Sequence, residues 1–183
     1  MVVEVVSNST AVANSKLKQL FIDQLRDTYW AEKKLVKALG KMEEAATTLR
    51  LREAFRTHQE ETRVHVDRLE KVFKSINEIA DDTKCPAMAG IIDEAHDIID
   101  DTDSGTSQRD AGLIIAAQKA EHYEIATYGS LAQLAEILGY TEAKNILGQT
   151  LEEEKITDTL LTDIARSGIN YSASLEPEDE IVL

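Results

Sequence analysis

The chain has 183 residues, enough for one domain with a sizeable core. Its 34 acidic residues outnumber 20 basic ones, and the resulting formal charge of −14 repels phosphate backbones and anionic membrane surfaces, so nucleic-acid binding is disfavoured. The single cysteine, Cys85, excludes an intrachain disulfide or a thiolate metal cluster and fits a buried structural thiol.

Met1 to Val6 lack the basic start and apolar run of a secretion signal, and no apolar stretch is long enough to span a bilayer, so a cytoplasmic protein without a membrane partner is expected. Only eight Gly and two Pro interrupt a chain rich in Ala, Leu, Ile, Glu, Asp and Lys, which favours helix over strand and predicts an all-α fold. From Ser15, the positions Leu17, Leu20, Phe21, Leu25, Thr28, Leu35, Leu39 and Met42 recur every three or four residues, the spacing of one buried helix face. The pattern slips around Thr47 to Arg50. A second series then runs through Leu51, Phe55, Thr62, Leu69, Val72 and Ile76, predicting a helix that ends near Ile79.

Asp81, Asp82 and Thr83 before Cys85-Pro86 read as a loop leading into a shorter helix with Met88, Ile91, Ile92, Ala95, Ile98 and Ile99, closed by Asp100 to Gly105. A third long helix is expected from Ser107 to Leu138, ending at Gly139, and a fourth from Thr141 to about Arg166, ending at Gly168. Two pairs of long helices around a crossover segment make a ferritin-like four-helix bundle with a short extra helix in its long connection. The bundle is expected over 15–168, with an N-terminal tail over 1–14 and a C-terminal tail over 169–183.

Charges interrupt the apolar faces. An ionised carboxylate taken out of water loses roughly several kcal/mol of hydration unless something compensates. Yet the buried row of the first helix passes through Thr28, reaches Glu32 and resumes at Leu35. In the second helix Phe55, His58, Glu61 or Thr62, His65, Leu69 and Val72 share one face. The third places Glu121 and Glu124 between Ala117 and Tyr128, and the fourth reads Leu147, Thr150, Glu154, Asp158 and Leu161. Each taken alone has an ordinary explanation, such as a lysine partner at the bundle edge or a satisfied core histidine. All four helices carrying inward acids near their middles points to one shared site for two divalent ions, with carboxylate oxygens as hard ligands and imidazole suited to iron or zinc. Tyr29, Tyr123 and Tyr128 are placed to hydrogen-bond such ligands.

Asp27-Thr-Tyr-Trp-Ala-Glu32, His58-Gln-Glu-Glu61-Thr62, Cys85-Pro-Ala-Met88-Ala-Gly90, Glu121-His-Tyr-Glu124-Ile-Ala-Thr-Tyr128-Gly and Glu153-Glu154-Lys-Ile-Thr-Asp158 together resemble the bacterial YciE/YciF-type family, ferritin-like proteins of unknown function associated with stress responses. The likeness runs from about Leu17 to Ala165. It implies a rubrerythrin-like bundle, a homodimer, and a centre of two iron ions, with manganese or zinc as other occupants. By position, Glu32, Glu61, Glu121 and Glu154 match the acid that each bundle helix contributes, and Glu124 resembles the additional rubrerythrin-like glutamate.

The usual Glu-x-x-His is absent: three residues after Glu61 stands Val64, and three after Glu154 stands Thr157. The histidine ligand is then His58 or His65, and helix four offers Asp158 instead. The resemblance brings no reaction with it. Oxidation of iron or reduction of peroxide at the centre is expected first, then a non-catalytic helical assembly of the stress response, then iron storage, which needs a closed cage. No Gly-x-Ser-x-Gly, phosphate-cradling loop or His-Glu-x-x-His occurs.

Overall fold

The computed structural model describes residues 15–177; the segments 1–14 and 178–183, the whole of the expected N-terminal tail and the last six residues of the expected C-terminal one, lie outside it. The elements in order are α1 (Lys16–Ala45), α2 (Leu49–Ser75), α3 (Pro86–Asp101), α4 (Ser107–Ile137), α5 (Thr141–Ile164) and a single turn α6 (Asn170–Ala173), and no strand occurs among the described residues. The helices α1 and α2 form one hairpin and α4 and α5 a second, with α2 packed on α5 and α1 on α4. This is the all-α, ferritin-like four-helix bundle. Because α2 and α4 run in the same direction, the segment between them must travel back along the bundle, and α3 does so while lying against α1 and α4.

Local chemistry sets the helix ends. Ser15 and Thr106 accept hydrogen bonds from the backbone N–H of Lys18 and Arg109, and Cys85 Sγ accepts one from Met88 ahead of a helix that begins with Pro86. The expected thiol is thus buried, 1 % exposed, and serves as a cap. Helix α2 ends at Ser75, earlier than the predicted Ile79, because Asn77 adopts a left-handed backbone (φ 58°). The amides of Asn77 and Glu78 then reach back to the carbonyls of Lys74 and Phe73 at 3.2 and 2.9 Å. Gly139 (φ 77°) closes α4 in the same way, with Tyr140 N–H bonded to the Ala135 carbonyl at 2.8 Å. An αL-competent Asn was the sequence signal for the earlier stop. Beyond α5, Gly168 (φ 140°) breaks the helix, and the chain returns so that Glu176 accepts the Ser107 and Gln108 amides at 2.6 and 2.8 Å.

The N-terminus of α2 has no side-chain cap of its own. The fully buried Asp110 of α4 takes that role, its two carboxylate oxygens accepting the Thr47 and Thr48 amides at 2.6 and 2.8 Å. Asp110→Ala is therefore expected to cost about 1–2 kcal/mol, a fall of roughly 2–8 °C in Tm by calorimetry, because the first turn of α2 loses the acceptor that caps it.

The core is not continuous. Leu35, Leu39, Met42, Leu51, Phe55, Leu113, Ala117 and Leu161 form one apolar cluster with the inner face of α3. Phe21, Leu25, Leu69, Phe73, Tyr128, Leu131 and Leu147 form a second. Between the two lies a layer of buried polar residues drawn from all four long helices.

Candidate metal centre

That layer is built from register. In α2 the buried positions run His58, Thr62, His65, Leu69, alternating steps of four and three; in α5 they run Thr150, Glu154, Thr157, Leu161. Helix α1 adds Glu32, and α4 adds Glu121 and Glu124 one turn apart. All six ionisable side chains, Glu32, His58, His65, Glu121, Glu124 and Glu154, are at most 3 % exposed.

They form two overlapping groups. His58, Glu121, Glu124 and Glu154 make one and Glu32, His65 and Glu154 the other, with the donor atoms in each within 4.8 Å of one another. Glu154 belongs to both. His58 Nε2 lies 3.1 Å from Glu121 and 3.9 Å from Glu154; His65 Nδ1 lies 3.0 Å from Glu154 and 3.8 Å from Glu32. Despite this closeness Glu32 Oε2, His58 Nε2, His65 Nδ1, Glu121 Oε2 and both oxygens of Glu124 and of Glu154 make no hydrogen bond. These His–carboxylate approaches are ion-pair contacts that fall short of hydrogen-bonding geometry, so the atoms concerned stay without a hydrogen-bond partner.

The outward sides of the cluster are well tied. His65 Nε2 meets Glu153 at 2.9 Å, and Arg68 grips Glu153 with two nitrogens at 2.5 and 2.9 Å. Tyr128 donates to Glu32, and His58 Nδ1 lies 3.5 Å from the Thr157 hydroxyl and 3.6 Å from Glu61. A carboxylate behind an imidazole fixes the ring and leaves the other nitrogen for a cation. Glu153→Ala is expected to lower metal affinity about 10–100-fold while the bundle stays folded, which calorimetric titration with Fe(II) or Mn(II) reads directly.

Electrostatics agree with this picture. Burial, reinforced by Glu154, pushes the Glu32 carboxyl up to about 8, against the pull of His65 and the Tyr128 hydroxyl. Burial, together with the negative Glu32, Glu154 and Glu121, holds Glu124 well above the usual carboxylate range. Burial alone would depress both imidazoles, but the surrounding carboxylates outweigh it: His65 rises to about 9 and His58 stands well above its ordinary value. The Arg68 fork keeps Glu153 below the carboxylate norm. Without a cation, the cluster must hold protons to exist.

Six of the eight sequence-predicted ligands thus come together, including both histidines. Glu61 and Asp158 do not. The step of four from His58 puts Thr62 in the buried row, leaving the Glu61 side chain 42 % exposed behind His58. The step of three from Glu154 selects Thr157, so Asp158 sits at the bundle edge against Gln118 and His122. Of the three tyrosines, Tyr128 alone touches the cluster acids; Tyr29 donates to Glu70 at 2.7 Å, and Tyr123 meets Cys85 at 3.1 Å. Sequence reasoning missed Glu153, Arg68 and Thr157. The available signal was an arginine one turn beyond His65 on a half-buried face.

Comparison with known proteins gives the same architecture. Protein YciF of Escherichia coli (strain K12) is 48 % identical over 158 residues, 86 % of this chain and 95 % of that protein. The crystal structure of the E. coli stress protein YciF superposes with a TM-score of 0.82 at 47 % identity, covering 86 % of this chain and 99 % of that one. YcfI of Rhodopseudomonas palustris follows at 0.78 and 38 % identity over 81 % and 94 % of the two chains, while a Xanthomonas campestris protein (0.65, 19 %, covering 87 % and 97 %) shares the fold alone. Among the described residues no helix is long and apolar enough to cross a membrane. Residues 16–174 match the family described as "Domain of unknown function (DUF892)", and the chain belongs to that family of YciF-like, all-α proteins.

Proposed function

We propose that the polar layer is a dinuclear metal centre, filled by two iron ions, and that the protein uses it to oxidise iron or reduce peroxide in a cytoplasmic stress response, acting as a homodimer. His58, Glu121 and Glu124 would hold one ion and Glu32 and His65 the other, with Glu154 shared between them. Manganese or zinc suits the same oxygen and nitrogen donors.

The observation that carries this reading is the set of buried, unbonded oxygen and nitrogen atoms contributed by four different helices. A purely structural bundle leaves that set unexplained, since apolar side chains of similar volume would be more stable there by about 1–4 kcal/mol. Bound iron would neutralise the carboxylates and supply the electrons for dioxygen or peroxide reduction.

The chain's own contribution is positioning and exclusion. Glu153 and Arg68 hold the His65 ring, Tyr128 holds Glu32 by its hydroxyl proton, and the apolar clusters on either side keep water out. His58 has one nitrogen on the cluster and the other beside the half-exposed Glu61, a path along which a proton displaced from Nε2 has a route out through Nδ1.

The relationship to a bacterial stress protein supports the physiological side of the proposal. Anaerobic loading with Fe(II) should reach two ions per chain, and peroxide should then produce a new absorption band. Absence of both uptake and band would sink the reading.

A further inference from the structure

The side-chain contacts that lead outward from the buried cluster differ in what they leave open. On the His65 side stands Glu153, whose oxygens are already taken by Arg68 at 2.5 and 2.9 Å and by His65 at 2.9 Å. On the Glu32 side the contact is the hydroxyl of the fully buried Tyr128. On the His58 side there are two, the uncharged and buried Thr157 and the carboxylate of Glu61. The Glu61 side chain is 42 % exposed, and among the described residues it forms no ion pair with a lysine or arginine; its ionic neighbour is His58 Nδ1 at 3.6 Å. Glu61 is thus the carboxylate that both reaches the cluster and faces solvent with its charge uncommitted.

A divalent cation cannot reach the layer through the apolar clusters on either side, because losing its water with nothing in exchange is prohibitive. It needs oxygen or nitrogen donors at each stage of dehydration. The His58 side supplies them in succession. Beyond Glu61 comes the imidazole, whose Nε2 lies 3.1 Å from Glu121. That nitrogen and Glu121 Oε2 are both buried without a hydrogen-bond partner.

We infer that Glu61 is the entry carboxylate of the centre: it captures a hydrated divalent cation at the surface and passes it to His58 and Glu121, without being a ligand of the filled site. The inference rests on the dinuclear-centre reading. It gives the two ion positions different access, since the Arg68 and Glu153 pair closes the His65 side.

Loading the metal-free full chain with Co(II) separates entry from holding. Stopped-flow absorption gives kon and koff, and calorimetric titration gives Kd and the number of ions bound. Glu61→Gln keeps the size of the side chain and one oxygen beside His58 while removing the charge. Its kon should fall about tenfold, because a negative charge at the mouth of a site concentrates cations there. Ions leave by the way they enter, so koff should fall by the same factor and Kd should stay unchanged. Glu60→Gln, which removes an equal charge from an exposed position on the same turn, should load at the wild-type rate.

An unchanged kon in Glu61→Gln overturns the inference, and so does an equal slowing in Glu60→Gln, which would trace the effect to net charge. Weaker binding carried by a faster koff overturns it as well, by making Glu61 a ligand or a support for the His58 ring. A wild type that takes up no Co(II) overturns the dinuclear-centre reading together with the inference, whereas normal uptake with an unslowed Glu61→Gln overturns the inference alone.

Discussion

Glu154→Ala is expected to abolish iron binding at both positions together, lowering each affinity more than about a hundredfold, whereas Glu124→Leu should impair one position and spare most of the other. The difference follows from geometry: Glu154 belongs to both groups of donors, while Glu124 joins only the group with His58 and Glu121. The two variants should also part in stability. Glu124 has no hydrogen bond from either oxygen and no ion pair with a histidine, so exchanging it for an isosteric hydrocarbon removes a buried polar group that nothing compensates in the metal-free state. The metal-free Glu124→Leu protein should be more stable by about 1–4 kcal/mol, a rise of roughly 3–10 °C in Tm. Truncating Glu154 strips the 3.0 Å neighbour from His65 and opens a cavity, and no such gain is expected. Metal analysis and scanning calorimetry on the two purified variants decide the matter; equal loss of both ions in each would contradict the shared role of Glu154.

The metal-free protein should lose stability as pH rises across neutrality, and metal should reverse that trend. Glu32 is raised to about 8 and His65 to about 9, so the folded state holds protons that the unfolded chain releases earlier. A group raised on folding contributes stability that is complete below its unfolded value and disappears as pH climbs through its folded value. For Glu32 that loss spans the range from the ordinary carboxylate value to about 8, and for His65 from the ordinary imidazole value to about 9. Both slopes share a sign and overlap around neutrality. Glu153 is lowered, which acts in the opposite sense, but only in acid, below the ordinary carboxylate range. Between about pH 6 and 9 the metal-free Tm should therefore fall by roughly 10 °C. Metal requires the same groups deprotonated, so its affinity should strengthen over that interval and its binding should release protons into a weakly buffered solution. A metal-free Tm that is flat or rising from pH 6 to 9 would show that the cluster is not held together by protons.

Much of this was legible in the residues themselves. The three-and-four spacing of apolar positions, the near absence of Gly and Pro, and Gly139 as a stop set four long helices and their order, because helix period and termination are local properties of the chain. Glu32, Glu121, Glu124 and Glu154 stood out as carboxylates at positions that hydrocarbon should occupy, and the structure buries all four. The choice between neighbours was harder. Glu61 and Thr62, or Thr157 and Asp158, differ by one step around a helix, and only contact with the facing helices decides which member turns inward.

What the tertiary structure alone decided lies between elements. Glu153 and Arg68 are far apart in sequence and each reads as a surface charge until α2 and α5 pack and place them behind His65. Asp110 capping α2 from α4 likewise belongs to no single segment. Local sequence determined which faces were apolar and where acids broke them, because those depend on backbone period. Which donors meet, and what supports them, depends on the packing register of four rods, a property that emerges only when they are assembled.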